Sequence, residues 1–164
     1  MRIGTTLLAG ALALGTAIGG GAGSAEEPRG AHDVWGHDVW GLWYTPDRDS
    51  LVRIADCGDG TPCGTVAWID PVRGEVTHDD HNPDEALRGR PMEGVTLLSG
   101  FEASERGWRG GAIYHPGQGK TYRARVRRTG AHALKVSGCV GPVCKGMTWH
   151  RADEATDDRL ASSR

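Results

Sequence analysis

Residues 120–128 read KTYRARVRR and carry the clearest structural pattern in the chain. Apolar and basic residues alternate there: one set is Tyr122, Ala124 and Val126, and the other is Arg123, Arg125 and Arg127. Successive side chains of a β-strand point to opposite faces, so this period of two predicts a strand with one interior and one solvent-facing side. The arginine row is compatible with an anion-binding stripe, but we interpret it as a solvated face whose charges discourage pairing with other chains.

Seven further runs have strand character, and turn residues separate them. They are 41–45, 51–57, 64–69, 93–101, 108–115, 133–139 and 146–151. The turns PGQG (116–119) and TGAH (129–132) are hairpin signals. About eight short strands joined mostly by tight turns predict an all-β, antiparallel up-and-down barrel, because closure removes both exposed edges of the sheet.

The predicted interior of this barrel is modest in volume. It contains Val52, Ile54, Val95, Leu97, Tyr122, Ala124, Leu134 and Val136. The chain also has a single Phe and 26 Gly. A barrel of eight strands is just wide enough to be filled by side chains or to hold one small ligand, and the sequence leaves both alternatives open.

One long segment, 70–91, interrupts the meander between the third and fourth strands. Loops of that length usually carry function or structure of their own. Asn82 as N-cap, Pro83 at the first helical position and Glu85 at the third predict a short helical turn. Capping and turn formation account for Asn82, Pro83 and Glu85 without any chemistry.

The same loop is where ligand-type side chains crowd together in the sequence: His78, Asp79, Asp80 and His81, with Asp84 shortly after. Imidazoles and carboxylates are ligands for zinc and other divalent ions. Their spacing, however, matches neither H-E-x-x-H nor an EF-hand loop. Metal binding is therefore a secondary alternative to a polar loop held by capping and turn hydrogen bonds.

No catalytic constellation is recognisable in the sequence. Ser99 and Ser137 lie in strand runs and lack the G-x-S-x-G elbow of a nucleophile. The glycines of 107–111 belong to a strand, and no Lys-Ser/Thr follows at the offset that a phosphate-binding loop needs. We therefore expect a protein that is not an enzyme, and the sequence implies no cofactor.

The first 25 residues have the features of a secretory signal peptide. Arg2 supplies positive charge, 7–18 is an apolar run, and Gly23-Ser24-Ala25 gives a small-residue cleavage site. The apolar run is about a dozen residues long, short of the roughly 20 that a membrane-spanning helix needs. We expect cleavage after Ala25 and a periplasmic or secreted protein without a membrane span.

On this basis the chain divides into a signal peptide (1–25), a linker (26–40), one barrel domain (41–151) and a tail (152–164). The pentapeptide HDVWG occurs twice in succession, at 32–36 and 37–41, which is far too little for a repeat architecture. We expect the first copy to belong to the linker and the second to run into the first strand. The tail is polar and acidic in its first half, a composition that predicts disorder. The formal net charge of −2, with both signs mixed, gives no support to nucleic-acid binding.

The cysteines form two local pairs in the sequence. Cys57 and Cys63 flank GDGTP, and Cys139 and Cys144 flank VGPV, both of which are turn-like. In an exported chain an even number of cysteines indicates disulfides, and each turn favours local pairing. A zinc site made by all four is the alternative, but such sites usually have about two to four residues between paired cysteines.

A set of motifs appears in one order along residues 41–151. It comprises Gly41-x-Trp43, Asn82-Pro83-Asp84, Arg90-Pro91, Gly110-Gly111-x-Ile113-Tyr114-x-Pro116-x-x-Gly119-Lys120-Thr121-Tyr122 and Trp149-x-Arg151. Together with the two cysteine pairs, these motifs resemble an uncharacterised domain-of-unknown-function family of small exported bacterial proteins. The resemblance implies a lipocalin-like β-barrel and a cell-envelope or secreted location, and it implies no established activity.

The resemblance also implies structural roles for three residues. In lipocalins the Gly-x-Trp of the first strand lies at the closed end of the barrel, where an Arg of the last strand stacks on the Trp ring and bonds nearby carbonyls. Gly41, Trp43 and Arg151 match those positions. The chain departs from typical lipocalins in lacking an obvious C-terminal helix.

The leading functional hypothesis is an exported carrier of a small apolar or amphipathic ligand, bound in the barrel mouth away from Trp43. The residues expected to contact this ligand are Tyr122, Tyr114, Ala124, Val126 and Leu134. Tyr122 is the preferred candidate, because a phenol combines an apolar face with a hydrogen-bonding tip. We expect the 70–91 loop to act as a lid. The alternatives are a structural or protein-interaction module with a filled barrel, and a loop-borne metal-binding protein.

We expect two local bridges, Cys57–Cys63 and Cys139–Cys144. Because each closes a short loop, each should add stability at the low end of about 2–4 kcal/mol. Peptide mapping without reduction identifies the bridges, and thermal unfolding with and without reductant measures their contribution. A cross-link between the first pair and the second would contradict local pairing.

Overall fold

The structure is a computed structural model and describes residues 38–153, 155 and 156. Nine β-strands lie within these residues: β1 (Gly41–Tyr44), β2 (Ser50–Asp56), β3 (Pro62–Ile69), β4 (Thr96–Ser99), β5 (Glu102–Ser104), β6 (Gly107–His115), β7 (Lys120–Gly130), β8 (Ala133–Val140) and β9 (Val143–Arg151). Two short 3-10 turns, Glu85–Leu87 and Pro116–Gln118, lie between strands. No helix in this part of the chain is long and apolar enough to cross a membrane.

The strands close into an antiparallel barrel. Their order is β4-β3-β2-β1-β9-β8-β7-β6-β5, and an additional pairing of β4 with β6 joins the two ends of the sheet. β4 and β5 pair with successive parts of β6, so they form two halves of one wall and the barrel has eight walls. The predicted all-β up-and-down barrel of about eight strands is confirmed. The expected strand 93–101 is instead interrupted at Gly100, whose φ of +68° turns the chain between the two halves.

One end of the barrel is packed solid, and we call it the closed end. It contains Trp43 and Arg151, whereas the opposite end, near Ile69 and Val140, is the open end. The buried cluster that fills the closed half combines aromatic and aliphatic side chains: Val39, Trp43, Val52, Ile54, Leu98, Phe101, Trp108, Ile113, Ala124, Val126, Leu134, Val136 and Trp149. Most of the residues predicted to face inward are therefore inside, as the period-two pattern requires.

Trp43 is the centre of the closed end. Its indole Nε1 donates a hydrogen bond to the Val39 carbonyl at 2.8 Å, and its ring lies beneath Arg151, with Cζ 5.2 Å from the ring centroid. Gly41 has a φ of +112°, and a Cβ there would lie only 3.0 Å from Arg151 Nη2. Glycine is therefore needed at position 41 both for its backbone angle and for the close approach of the guanidinium.

The expected stack of Arg151 on Trp43 is present, but the expected carbonyl contacts are incomplete. Arg151 Nη1 is buried and has no hydrogen-bond partner among the described residues. The attraction at this site therefore comes from the cation over the indole face and from packing.

The last residues of the predicted linker, 26–40, pack against the barrel, in keeping with the expectation that the second HDVWG copy runs into the first strand. Val39 is fully buried in the core, and Trp40 meets Trp108 edge to face at a centroid distance of 6.2 Å. Asp38 pairs with Arg128. The segment thus joins the barrel before β1 begins, because its apolar side chains plug the closed end. The predicted signal peptide, 1–25, lies outside the described residues.

The predicted disordered tail, 152–164, begins as ordered chain. Ala152 N donates to the Leu42 carbonyl at 3.0 Å, and Thr156 N donates to the Asp153 carboxylate at 2.8 Å. Thr156 is itself buried. The first residues after β9 are therefore attached to the closed end, and residues 157–164 lie outside the described part.

Both predicted disulfides are confirmed. Cys57–Cys63 joins the end of β2 to the start of β3, and Cys139–Cys144 joins the end of β8 to the start of β9. No free cysteine occurs among the described residues. The four cysteines therefore do not form a zinc site.

Replacing Arg151 should destabilise the closed end. Arg151→Ala removes the cation over Trp43 and leaves a cavity beside the ring, so we expect the free energy of unfolding to fall by about 1–3 kcal/mol. Urea unfolding followed by circular dichroism measures the change, with the exposed Arg125→Ala on β7 as the matched control. Equal stability of the two variants would contradict a role for the stack.

Candidate functional site: a cavity at the open end

A cavity of about 580 Å³ occupies the open end of the barrel. Leu97, Ile113 and Met147 give it an apolar floor, and Val76 of the 70–91 loop contributes to its wall. Above the floor, residues of the β1–β2 connection and of the turn after β6 complete the lining. The barrel is therefore filled in its closed half and hollow in its open half.

The absence of a side chain at Gly138 helps to keep this cavity open. Gly138 pairs with Ala124 across β7 and β8, so two small residues lie side by side in the wall. A Cβ at position 138 would meet Ile113 at 3.5 Å and Tyr122 at 3.8 Å, which is ordinary van der Waals contact. A larger side chain at this position would extend into the cavity.

Tyr122 supplies a polar group at the wall of the cavity. It lies opposite Ile113 in the β6–β7 ladder, and its hydroxyl donates to Gln118 Oε1 at 2.6 Å. Both Tyr122 and Gln118 line the cavity. The phenol thus presents its ring to the apolar space, and the amide of Gln118 orients its hydroxyl.

The rim of the cavity carries charges of both signs on different sides. Asp47, Asp49 and Glu75 lie on the side formed by the β1–β2 turn and the long loop, and Lys145 lies on the β9 side. Asp49 is held in place because the Thr45 and Ser50 hydroxyls donate to it at 2.7 and 2.9 Å. A ligand would therefore meet an apolar floor and a polar rim.

The long loop is attached to the barrel through Asp79. This carboxylate has no solvent exposure and accepts hydrogen bonds from Tyr114 Oη at 2.5 Å, Asn82 Nδ2 at 2.7 Å, and Arg90 Nε and Nη2 at 3.1 and 2.9 Å. Its backbone N also donates to the Arg90 carbonyl at 3.0 Å. Buried carboxylates need this degree of hydrogen bonding, so Asp79 acts as the anchor of the loop.

The electrostatics of this anchor follow from its contacts. Burial opposes ionisation of Asp79, but the hydrogen bonds from Tyr114, Asn82 and Arg90 outweigh it and hold the pKa of the carboxyl below its ordinary value. Burial, together with the bond to the Asp79 carboxylate, raises the pKa of Tyr114 to about 12. Asp79 is thus ionised and Tyr114 is a neutral donor at neutral pH.

A second contact fixes the same loop against the β6–β7 hairpin. Gly119 has a φ of +61°, and a Cβ there would lie 1.7 Å from the His81 carbonyl oxygen. Only glycine permits the two backbones to approach so closely. Tyr114 and Gly119 thus hold the segment around Asp79 against the barrel. This part of the loop is fixed and does not match the lid expected from the sequence.

The predicted capping of the loop is wrong by two residues. Asp84, not Asn82, is the N-cap, because its carboxylate accepts from Ala86 N, and the turn is a 3-10 turn. Asn82 is buried, with its Oδ1 accepting from Asp84 N and its Nδ2 donating to Asp79. Pro83 precedes the cap and is exposed.

The metal candidates of the loop do not converge. His78, Asp80 and His81 are exposed, whereas Asp79 is buried and its oxygens accept the hydrogen bonds given above. Among residues 38–153, 155 and 156, no group of three metal-ligating side chains is arranged to hold an ion.

Two of the five predicted ligand contacts line the cavity, and three do not. Tyr122 and Tyr114 are in its wall. Ala124, Val126 and Leu134 face inward as predicted, but they are fully buried in the closed half, away from the cavity. Alternation along a strand gives the face of a residue and not its depth. Met147, Gln118 and Val76 were missed, since nothing in the sequence marked their distance from the mouth.

A barrel that is closed at one end by a Gly-x-Trp strand and an Arg, and hollow at the other, is a lipocalin-like β-barrel. The profile of a family described as "Uncharacterized protein conserved in bacteria (DUF2147)" matches residues 41–151. The chain belongs to this family. The match begins at Gly41 and ends at Arg151, the two residues that meet at the closed end.

Among solved structures, the chain is similar to "Protein HP1028 from the human pathogen Helicobacter pylori", whose title says that it "belongs to the lipocalin family". The sequences are 25% identical, and the match covers 76% of this chain and 90% of that chain with a TM-score of 0.64. No curated protein is significantly similar to this chain.

Loss of the Asp79 carboxylate should destabilise the protein in a pH-dependent way. Because the folded-state pKa of Asp79 is depressed, its ionised form adds stability above the unfolded pKa of about 3.9, and that stability is lost as the pH falls through the folded value. We expect Asp79→Asn to lower the free energy of unfolding by about 1–3 kcal/mol at pH 7, with a smaller difference in acid.

Urea unfolding at neutral and acidic pH measures this difference. The exposed neighbour Asp80→Asn is the matched control, and Tyr114→Phe removes one of the bonds to the same carboxylate. A constant difference between Asp79→Asn and the parent chain at every pH would contradict the assigned ionisation.

Proposed function

We propose that this protein is an exported binding protein that carries a small amphipathic molecule in the cavity at the open end of its barrel. The observation that carries the proposal is the hollow half of the barrel. Its volume of about 580 Å³ lies within the range of small-molecule sites, which is roughly 300–1,000 Å³. An interior of this size, open to solvent at a polar rim, is typical of a barrel that binds a ligand.

The chemistry of the lining supports an amphipathic ligand. The floor of Leu97, Ile113 and Met147 favours an apolar body, because burial of apolar surface is the main attraction in such a site. The hydroxyl of Tyr122 and the ammonium of Lys145 offer a hydrogen bond and a charge near the mouth. A molecule with an apolar body and a polar or anionic head fits both parts.

Export is supported by two independent features of the chain. Its first 25 residues have the pattern of a signal peptide, and both cysteine pairs form disulfides, which persist in oxidising compartments. The lipocalin-family membership stated for the similar Helicobacter pylori structure is consistent with carriage of a small ligand.

The two alternatives receive less support. A structural or interaction module with a filled barrel would not need the hollow half. A loop-borne metal site would need Asp79 as a ligand, and that carboxylate is already used by Tyr114, Asn82 and Arg90. Cavity binding is therefore the proposal to test first.

Filling the cavity should abolish binding of an amphipathic probe. Gly138→Leu places its Cβ in ordinary contact distance of Ile113 and Tyr122 and directs the rest of the side chain into the space. With the fluorescent probe 1-anilinonaphthalene-8-sulfonate, we expect at least about a tenfold loss of affinity from this overlap.

The matched control is Ala131→Leu, which adds a leucine side chain at the exposed β7–β8 turn of the closed end. Circular dichroism verifies that both variants are folded. Unchanged probe affinity in folded Gly138→Leu would contradict the proposal. Native mass spectrometry of protein purified from its own compartment then identifies the mass of a co-purified ligand.

A further inference from the structure

The barrel has one strongly basic side. Residues 106–152, which form β6 to β9, contain no Asp or Glu. They contain more than half of the Lys and Arg residues of the chain: Arg106, Arg109, Lys120, Arg123, Arg125, Arg127, Arg128, Lys135, Lys145 and Arg151. The small net charge of the chain therefore hides a pronounced separation of charge, a feature typical of proteins that meet an anionic surface.

The cross-strand register places four of these basic residues on the outer wall: Arg123, Arg125, Arg127 and Lys135. Three others are occupied elsewhere, since Arg151 lies over Trp43, Arg128 pairs with Asp38, and Arg109 lies 3.8 Å from Glu102. Arg127 pairs with Lys135 across β7 and β8, and both are exposed. The stem of Lys135 lies over Gly146 of β9, since a Cβ at position 146 would be 2.6 Å from Lys135 Cε. Within residues 38–153, no carboxylate forms an ion pair with these two side chains.

The tip of the β8–β9 hairpin adds exposed apolar surface at one end of this wall. Val140 and Val143 pair with each other and are 69% and 72% exposed. They belong to a group of four exposed large apolar residues in the described chain, and the other two, Val72 and Leu87, lie in the long loop. These two adjacent valines form a small exposed apolar patch at the end of the hairpin.

The tip is held in a defined shape. The Cys139–Cys144 disulfide lies directly behind the valine pair, and Gly141, with a φ of +57°, forms the turn. Arg123 Nη2 donates to the Gly141 carbonyl at 3.4 Å, which places its guanidinium at the base of the turn. Lys145 follows the disulfide immediately in the chain and is exposed.

We propose that this tip, defined by Val140, Val143, Arg123 and Lys145, docks the protein on the surface of an anionic lipid bilayer. The valines insert into the interfacial region, and the two cations pair with lipid headgroups. The basic wall behind the tip extends the electrostatic attraction along β7 and β8. A braced apolar tip beside basic residues is the combination that interfacial binding requires.

The distribution of charge favours a bilayer met on this side of the barrel. Across the cavity from the tip, its rim carries Asp47, Asp49 and Glu75, which an anionic surface would repel. The barrel would therefore approach the surface through its β7–β9 side. A soluble polyanion would pair with the basic residues of β7 and β8 but would leave Val140 and Val143 exposed to water. The lipid surface accounts for both features.

Docking at this tip brings the cavity to the membrane. Val140 and Lys145 also line the cavity, so an inserted tip places the mouth beside the headgroups. The docking itself does not depend on the proposed carrier function, because it needs no ligand in the cavity and the vesicle test contains none. The two proposals can therefore fail separately.

Vesicle sedimentation tests the docking directly. The full chain, expressed with its own leader and purified with both disulfides intact, is mixed with vesicles of phosphatidylcholine alone or with an equal part of phosphatidylglycerol. We expect sedimentation with the anionic vesicles and little with the neutral ones. Raising the salt from about 0.1 M to about 1 M should release the protein, since the Debye length falls from about 10 Å to about 3 Å.

Variants separate the two contributions of the tip. Val140→Ser with Val143→Ser should weaken binding at least about tenfold through lost apolar burial, and Val72→Ser, at a valine that is 90% exposed elsewhere, should change nothing. Lys145→Gln and Arg123→Gln should each weaken binding about fivefold. Arg106→Gln, beside Gly107 at the far end of β6, is the charge control.

Three outcomes would overturn the proposal. One is equal sedimentation with neutral and anionic vesicles, and another is no sedimentation with either. The third is binding to anionic vesicles that the double valine variant retains in full while heparin competes for it, because the basic wall would then bind polyanions and not a bilayer. Circular dichroism of each variant verifies that a loss of binding is not a loss of fold.

Discussion

Closure of the barrel depends on a very short seam between β1 and β9. The two strands share two residue pairs, Trp43 with Arg151 and Tyr44 with His150. Because they share so few ladder hydrogen bonds, β1 and β9 are held together only weakly by backbone pairing. The Arg151 guanidinium over the Trp43 indole adds attraction at the same point. Gly41 permits that approach, and Val39 accepts the indole hydrogen bond from below. The rest of the architecture depends on this junction. An open sheet would expose two unpaired strand edges and let water reach the core.

The interior of the barrel is divided into a packed half and a hollow half. The closed half is filled by aromatic and aliphatic side chains, whereas the open half is kept hollow by residues such as Gly138. The long loop that borders the hollow half is tied down by buried Asp79 and by the approach of Gly119 to His81. Because this loop is already ordered, a ligand that entered the cavity would not have to pay the entropic cost of ordering it.

The strand pattern was predictable from the sequence because alternation reports directly on which face of a strand is buried. Tyr122 and Val126 both face inward, as predicted, but Tyr122 borders the cavity and Val126 lies in the packed core. Depth along the barrel axis depends on register and bulges, which a single strand does not encode. The role of Asp79 was equally hidden, because Arg90 and Tyr114 reach it from 11 and 35 residues away.

The seam between β1 and β9 also sets an order of events in folding. Trp43 and Arg151 are separated by almost the whole domain, so their contact carries the largest loop-closure entropy of any wall pairing. If the chain is exported N-terminus first, as proposed above, β1 emerges together with β2 but long before β9, its partner at this seam. Local hairpins such as β8–β9 can form as soon as they appear, but the barrel can close only when the last strand is released. Until then the edge of β1 that faces β9 is unpaired, although its other edge is already paired with β2.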